Sequence, residues 1–416
     1  MSKTPRLHIP QRSSRPGEEP NFSYVELSEA GDVARPSTDT PSREIENLAL
    51  SLVRVLDDEH QARGPWDPKL TNKQLQHALT CMLKTRIYDA RMLRMHRQGK
   101  ISFYMQSLGE EAVSVAQCMA LQPEDMLFPS YRNQGLHITR GRDVVDLMNQ
   151  CLSNQMDSCK GRQMPIMYHW KDGNIFSISG NLTTQVPQAV GWAMASALKG
   201  EHPIAATWVG DGSTAEADFY HALTFASVYK APVILNVVNN QWAISTFQAF
   251  AGGGHRPFAA RGLGFGIPGV RVDGNDVLAV YAVTRWAAER ARSGVGPTLI
   301  ELVTYRAGAH STSDDPSRYR PKDEWKQWPL GDPIERLKNH MIDKGNWTEK
   351  KHASVIKKLE AEVAQSWKQA ETNGSLAHGP RLHEDSMFED VYKTVPKHLQ
   401  KQREELKSIK NRGVSS

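Results

Sequence analysis

The sequence predicts an α/β protein built on a parallel sheet, with an N-terminal arm and C-terminal helices. Three observations carry that expectation. The run Ile204-Ala205-Ala206-Thr207-Trp208-Val209 is followed by Gly210-Asp211-Gly212, a helical stretch, and then Val233-Ile234-Leu235-Asn236-Val237-Val238 ahead of Asn239-Asn240. Two strand-like runs joined by a crossover of helix length imply parallel neighbours. Val270-Arg271-Val272-Asp273-Gly274 and residues 297–303 repeat the alternation, with a helical stretch carrying Val277, Val280, Tyr281, Val283 and Ala287 between them. After residue 330 the apolar spacing is helical only, at residues 332–343, 349–372 and about 396–407. The division expected is an arm and short helix over 1–65, an α/β domain over 66–330, and a helical segment and tail over 331–416.

The elements follow in order. Residues 1–45 are rich in Pro, Ser, Arg and Glu and read as an arm ordered by packing on another surface. Residues 44–57 read as a helix from the stripe Ile45, Leu48, Leu50, Leu52, Val53 and Leu56. Thr71 is a candidate N-cap for a long helix closed by Gly99. Glu110-Glu111 opens the next helix, where capping the helix dipole is favoured over catalysis. A short strand ends near Phe128, and residues 151–176 read as a surface loop. Gly262-Leu263-Gly264 lacks the final glycine spacing of a dinucleotide fingerprint and reads as a loop. Residues 270–274 read as a strand edge, with Asn275 or Asp276 capping the helix after it.

Composition narrows the function classes. The chain has 416 residues, 39% hydrophobic and 23% charged, as in soluble globular proteins. No apolar run approaches the ~20 residues of a membrane span. A formal charge of +5 with scattered basic residues gives no nucleic-acid footprint. Cys81, Cys118, Cys151 and Cys159 form no CxxC pair, so a reducing compartment is the default. Lys3, Arg6, Arg12 and Arg15 precede no apolar signal core, and Pro5, Pro10 and Pro16 break an amphipathic transit helix. A bacterial-type cytoplasmic location is expected, with a processed organellar protein as the alternative.

The chemistry centres on Asp211 and Asn240. Parallel strands bring these residues side by side at the carboxyl edge of the sheet, where ligands of α/β sheets sit. Two oxygen donors beside a glycine turn and a helix N-terminus suit a hard divalent cation bridging to a pyrophosphate. Arg132, just after a strand, can fork onto a phosphate. Ser179, Thr184 and Gln185 either coordinate a monovalent cation or cap the following helix. His310 lies in a polar loop after residues 297–303 and has a pKa range suited to proton transfer, or is a surface histidine.

The segments Ile101-Ser102-Phe103-Tyr104-Met105, Gly161-Arg162-Gln163-Met164-Pro165, Gly210-Asp211-Gly212 with 26 residues (213–238) before Asn239-Asn240, Gln241-Trp242-Ala243-Ile244-Ser245-Thr246, and His310-Ser311-Thr312-Ser313-Asp314-Asp315 together resemble a known family. It is the alpha subunits of the branched-chain 2-oxo acid dehydrogenases, which depend on thiamine diphosphate. The resemblance runs from about residue 20 to about residue 400. It implies a thiamine diphosphate-binding sheet domain and oxidative decarboxylation of branched-chain 2-oxo acids, with acyl transfer to a lipoyl group. It implies that Asp211, Asn240 and the Trp242 carbonyl hold Mg2+. It implies that Tyr131, Arg132, Leu182, Gly210, Gly212, Ser213 and Glu216 meet the cofactor, that Arg306 braces the loop of the catalytic His310, and that Ser179, Thr184 and Gln185 form a K+ site. Trp242 stands where tyrosine is common, Val238 where some relatives carry a phosphate-binding arginine, and Gly180-Asn181 where some have Ser-Pro. Thiamine enzymes also need a glutamate against the aminopyrimidine, supplied by a second domain. This chain shows no second strand series, so the resemblance implies a beta subunit in an α2β2 heterotetramer and a lipoylated acyltransferase as further partner. A pyruvate or acetoin dehydrogenase alpha subunit is the runner-up, and a non-catalytic scaffold with a degenerate metal site the alternative of another class.

Overall fold

The computed structural model describes residues 7–375, 378–380 and 382–411. Lys3, Pro5 and Arg6 of the opening segment lie outside these residues, as do 412–416 at the other end.

In chain order the elements are β1 (Leu52–Val53), α1 (Asn72–Arg97), α2 (Glu111–Ala120), β2 (Met126–Phe128), α3 (Gln134–Thr139), α4 (Val144–Leu152), α5 (Gln185–Leu198), β3 (Ala205–Gly210), α6 (Ala217–Val228) and β4 (Val233–Asn239). They continue with β5 (Trp242–Ala243), β6 (Thr246–Phe247), β7 (Gly269–Asp273), α7 (Val277–Arg292), β8 (Thr298–Val303), α8 (Pro333–Asp343), α9 (Glu349–Thr372) and α10 (Lys397–Asn411). Six strands form one sheet in the order β1-β7-β8-β4-β3-β2. Every pairing in it is parallel. β5 and β6 make a separate antiparallel hairpin. The expected α/β fold on a parallel sheet is thus the fold observed.

Alternation along β4 covers both faces. Val233, Leu235 and Val237 pack with α5 and α6 through Val186, Ala189, Phe219, Leu223 and Ala226. Ile234 and Val238 belong to the opposite core with α1, α2 and α7. A strand buried on both faces reads as a continuous apolar run, as this one does. β3 and β4 run in register from Ala205 opposite Val233 to Gly210 opposite Val238. That register sets Asp211 and Asn240 at the same edge.

The caps largely follow the sequence. Thr71 accepts from the Gln74 backbone N–H, and the Gln74 side chain returns the bond, closing a capping box on α1. Asp276 accepts from Leu278 and Ala279 and starts α7.

Three expectations are corrected. Residues 44–57 are not a helix: two short 3-10 turns, Ser42–Glu44 and Glu46–Ala49, lead into β1. Leu52 and Val53 pair with Arg271 and Val272 of β7, a partner more than two hundred residues away that no local pattern reveals. The same pairing means that β7 is not the outermost strand. Residues 151–176 are irregular but are not a surface loop throughout, because Ile166, Met167 and Tyr168 are buried. The Gln150 side chain satisfies their backbone, accepting from Ile166 N–H (2.9 Å) and donating to the Met164 carbonyl (2.8 Å).

The arm winds over its own chain. Phe22 meets Trp328 edge-on at 5.3 Å, Tyr24 meets Phe247 at 5.2 Å, and Arg12 donates to the Tyr319 carbonyl at 2.6 Å. One apolar core draws Val33 and Leu48 from the first expected segment, Leu79 and Ile234 from the second, and Leu337 and Trp347 from the third. Among the described residues, no helix is long and apolar enough to cross a membrane.

Candidate active site

Four loops leave the carboxyl ends of β2, β3, β4 and β8 at one edge of the sheet. They carry Tyr131-Arg132, Asp211, Asn240 and Arg306 to His310 in turn. A cavity of about 510 Å³ opens between them. Asp211, Asn240, Arg132 and His310 lie on its polar side; Phe103, Met105, Met164, Leu182, Ile244 and Phe250 supply apolar wall.

Asp211 is buried at the start of the turn Gly212–Ala215. Its Oδ1 accepts from the Gly212 N–H at 2.8 Å, while Oδ2 is buried without a hydrogen-bond partner. Burial pushes its pKa up to about 7, and Glu110 and Glu301 add to the rise. Asn240 donates through Nδ2 to Glu110 Oε1 (2.8 Å) and accepts at Oδ1 from the Trp242 N–H (3.3 Å). The Trp242 carbonyl accepts from Arg306 Nη1 at 2.6 Å, and a carbonyl has a second lone pair to offer. A carboxylate, a carboxamide and a carbonyl are the oxygen donors a hard cation takes. The orphaned Oδ2 and the raised pKa fit such a cation.

Two glycines keep the approach to this edge open. A β-carbon on Gly210 would meet only Ser213 Oγ, at 4.0 Å. One on Gly212 would stand 2.3 Å from the Ala243 β-carbon, so the turn and the β5–β6 hairpin close on each other at a point without side chain.

His310 is half-buried and pinned on three sides. Arg132 Nη2 lies 3.1 Å and Arg306 Nη1 3.4 Å from its Nδ1. Guanidinium groups only donate, so Nδ1 accepts and Nε2 carries the hydrogen of a neutral ring. Its backbone N–H donates to Asp314 Oδ2 (2.7 Å) and its carbonyl accepts from Arg132 (2.6 Å). Burial and then the two arginines lower its pKa to about 3, against a smaller opposing pull from Asp314. The surface-histidine alternative is therefore set aside. Arg306, 1% exposed, also donates to the Ile244 carbonyl (2.8 Å) and to Tyr319 Oη (2.6 Å). Burial and the Arg132 charge lower its pKa to about 10.

The remaining predicted residues divide. Tyr131 faces the His310 ring edge-on at 6.0 Å, and Leu182 is 47% exposed on the cavity wall. Arg132 reaches the site, but its guanidinium also donates to the Gln106 carbonyl (2.7 Å). Ser179 and Gln185 line a smaller recess shared with Gly210, Ser213 and Asn240; Thr184 is not on its wall. Thr184 makes no side-chain cap on α5, which removes capping as its role. Gln185 donates to the Trp208 carbonyl at 2.8 Å and keeps a buried, unpartnered Oε1. Glu216 is exposed at the start of α6 and is outside the lining of both cavities.

From the sequence Glu110 reads as a helix-dipole cap rather than a catalytic group, and Asp314 and Tyr319 carry no role of their own; the structure brings all three to the site. Glu110 does not cap α2; its carboxylate turns to Asn240. Its neighbour Glu111 pairs with Arg86 at 2.7 Å. The available signal was Gly109, with φ of 93°, where a β-carbon would stand 2.3 Å from the Tyr305 carbonyl. That contact brings the start of α2 to the sheet edge.

The sequence matches the dehydrogenase E1 component family over residues 79–378 and the 2-oxoisovalerate dehydrogenase E1 alpha subunit N-terminal family over residues 3–43. It is 60% identical over 401 residues to the 2-oxoisovalerate dehydrogenase subunit alpha of Pseudomonas aeruginosa, covering 96% of this chain and 98% of that one. The mitochondrial subunit of the same name from Dictyostelium discoideum is 39% identical over 86% of this chain and 80% of its own. The human one is 38% identical over 86% and 79%.

Proposed function

The chain belongs to the dehydrogenase E1 component family, and from that premise we propose that it is the alpha subunit of a branched-chain 2-oxo acid dehydrogenase. Its reaction is the oxidative decarboxylation of 2-oxoisovalerate and its relatives, with acyl transfer to the lipoyl group of an acyltransferase. The observation that carries the site assignment is the buried, unpartnered Oδ2 of Asp211 beside the Asn240 carboxamide. Asp211, Asn240 and the Trp242 carbonyl would hold Mg2+, and Gly210, Gly212 and Ser213 would let a diphosphate approach the backbone. Thiamine diphosphate, when bound, supplies a nucleophilic thiazolium carbon and takes up the electrons released with carbon dioxide.

The chain's own residues do the rest. Apolar walls from Phe103, Met105, Met164 and Ile244 exclude water and suit a branched aliphatic group. His310, held neutral, would present Nε2–H as a hydrogen-bond donor to an oxygen that gains charge. Arg306 and Arg132 fix its ring. Ser179, Thr184 and Gln185 are proposed as a K+ site; the unpartnered Gln185 Oε1 supports it.

The described residues form one six-stranded sheet and a small hairpin, with helices after β8. The carboxylate that activates the aminopyrimidine is therefore assigned to a beta subunit, in an α2β2 assembly. Co-expression with that subunit tests the whole reading. The complex should bind thiamine diphosphate only with Mg2+ and show a higher kcat/KM for 2-oxoisovalerate than for pyruvate; the chain alone should not turn over. Equal preference for pyruvate would refute the substrate assignment, and turnover by the isolated chain would refute the shared site.

A further inference from the structure

Glu110 occupies the position before the first residue of α2, yet its side chain makes no bond to the backbone of that helix. A carboxylate so placed would ordinarily serve the helix. Here it is 4% exposed, and its Oε1 accepts the 2.8 Å hydrogen bond from Asn240 Nδ2. Arg132 Nε lies 4.0 Å from the same oxygen. The carboxylate lines the recess that also holds Gly210, Ser213 and Asn240.

Oε1 of Glu110, with the Arg132 guanidinium beside it, accepts from Nδ2 of Asn240, so Nδ2 faces Glu110 and the contact sets the sense of the amide. The carboxamide is planar, so Oδ1 is turned the other way, where it meets the Trp242 N–H at 3.3 Å. A flipped amide would set Oδ1 against the carboxylate and Nδ2 against an N–H, two repulsive contacts. Asn240 is also fixed in the chain, because its carbonyl accepts from the Arg306 N–H at 3.2 Å. The contacts to Glu110 and to the Trp242 N–H then set the sense of its amide.

We propose that Glu110 is a positioning residue of the cation site, holding the Asn240 carboxamide with its oxygen available to the metal. This rests on the reading of Asp211 and Asn240 as metal ligands. Partners that orient a ligand are worth about 10–100-fold in metal affinity. Glutamine at position 110 keeps an oxygen that accepts from Nδ2; alanine does not.

The test titrates Mg2+ into the assembled complex at fixed thiamine diphosphate, reading cofactor binding by tryptophan fluorescence, for wild type, Glu110→Ala and Glu110→Gln. The expected result is a Mg2+ midpoint about tenfold or more higher in Glu110→Ala, with Glu110→Gln returned most of the way to wild type. A wild-type midpoint in Glu110→Ala overturns the inference, as does a Glu110→Gln midpoint as weak as that of Glu110→Ala. Should the wild-type complex bind the cofactor without Mg2+, the reading beneath the inference fails along with it. Should wild type need Mg2+ while Glu110→Ala matches it, only the inference fails.

Discussion

Gly212 and Ala243 share a space that accommodates one β-carbon. Gly212→Ala would place a second one 2.3 Å from the first, and neither atom can rotate away. The expected outcome is a displaced β5–β6 hairpin and at least a tenfold loss of thiamine diphosphate affinity, on the order of 1.4 kcal/mol. Adding Ala243→Gly should restore most of it. A single Gly212→Ala variant with normal affinity in a binding titration would count against the contact. Asp211→Asn keeps the shape and removes the charge, so Mg2+-dependent cofactor binding should vanish while the fold survives. Calorimetric titration with Mg2+ checks it. At His310 the sign of the pH effect can be worked out. Its folded pKa of about 3 lies below the unfolded value of ~6.5. Between those values the unfolded chain binds more protons, so stability is complete above ~6.5 and falls as pH drops toward 3. His310→Asn should flatten that part of the acid slope in urea melts between pH 4 and 7. It should also depress acyl transfer while leaving the cofactor bound.

The His310 loop is held as an element by the segment that lines the cavity. Thr312 N–H donates to the Tyr104 carbonyl (3.0 Å), and Tyr104 N–H donates to Thr312 Oγ1 (3.1 Å). Beneath, Asp89 of α1 accepts from Tyr104 Oη (2.7 Å) and from Ser107 N–H (2.6 Å). Phe103 and Met105 are thus fixed relative to His310. Thr312→Val leaves a buried N–H without partner, at a cost of about 1–3 kcal/mol. Faster hydrogen exchange over 308–314 and a lowered kcat are the expected readouts. At this scale the sequence was legible wherever a pattern is local. The cap at Thr71, the cap at Asp276 and the run of β4 each declare themselves within a few residues. β1 did not, because its partner is β7 and its apolar stripe also fits a helix. The partners of Glu110 and Tyr319 were not legible either, although Gly109 marks the close approach of Glu110 to the sheet edge. Their bonds cross the fold, to Asn240 and Arg306, and side chains that meet through tertiary contact leave no spacing to read.

At the scale of the molecule, parallel order follows from crossover lengths, and the carboxyl edge follows from parallel order. This is why Asp211, Asn240 and His310 can be placed at one edge from the sequence, and they line one cavity. The three expected segments contribute apolar side chains to a common core. Val33, Ile234 and Leu337 belong to the same one. The arm is accordingly part of the packed structure that carries the candidate site. Deleting residues 1–28 should remove the Phe22 and Tyr24 contacts and the Arg12 bond to Tyr319 together. The expected result is a lower Tm for the assembled complex and weaker protection of the His310 loop in hydrogen exchange, with β3 and β4 unaffected. The Trp242 carbonyl carries a consequence of a different kind. It accepts from Arg306, which also touches His310 Nδ1, and it is the third donor assigned to the cation. On the proposed reading of the cation site, metal loading and the basicity of His310 would be two ends of one thermodynamic cycle. Whatever factor Mg2+ imposes on the proton affinity of that ring, protonation of the ring must impose on Mg2+ in return.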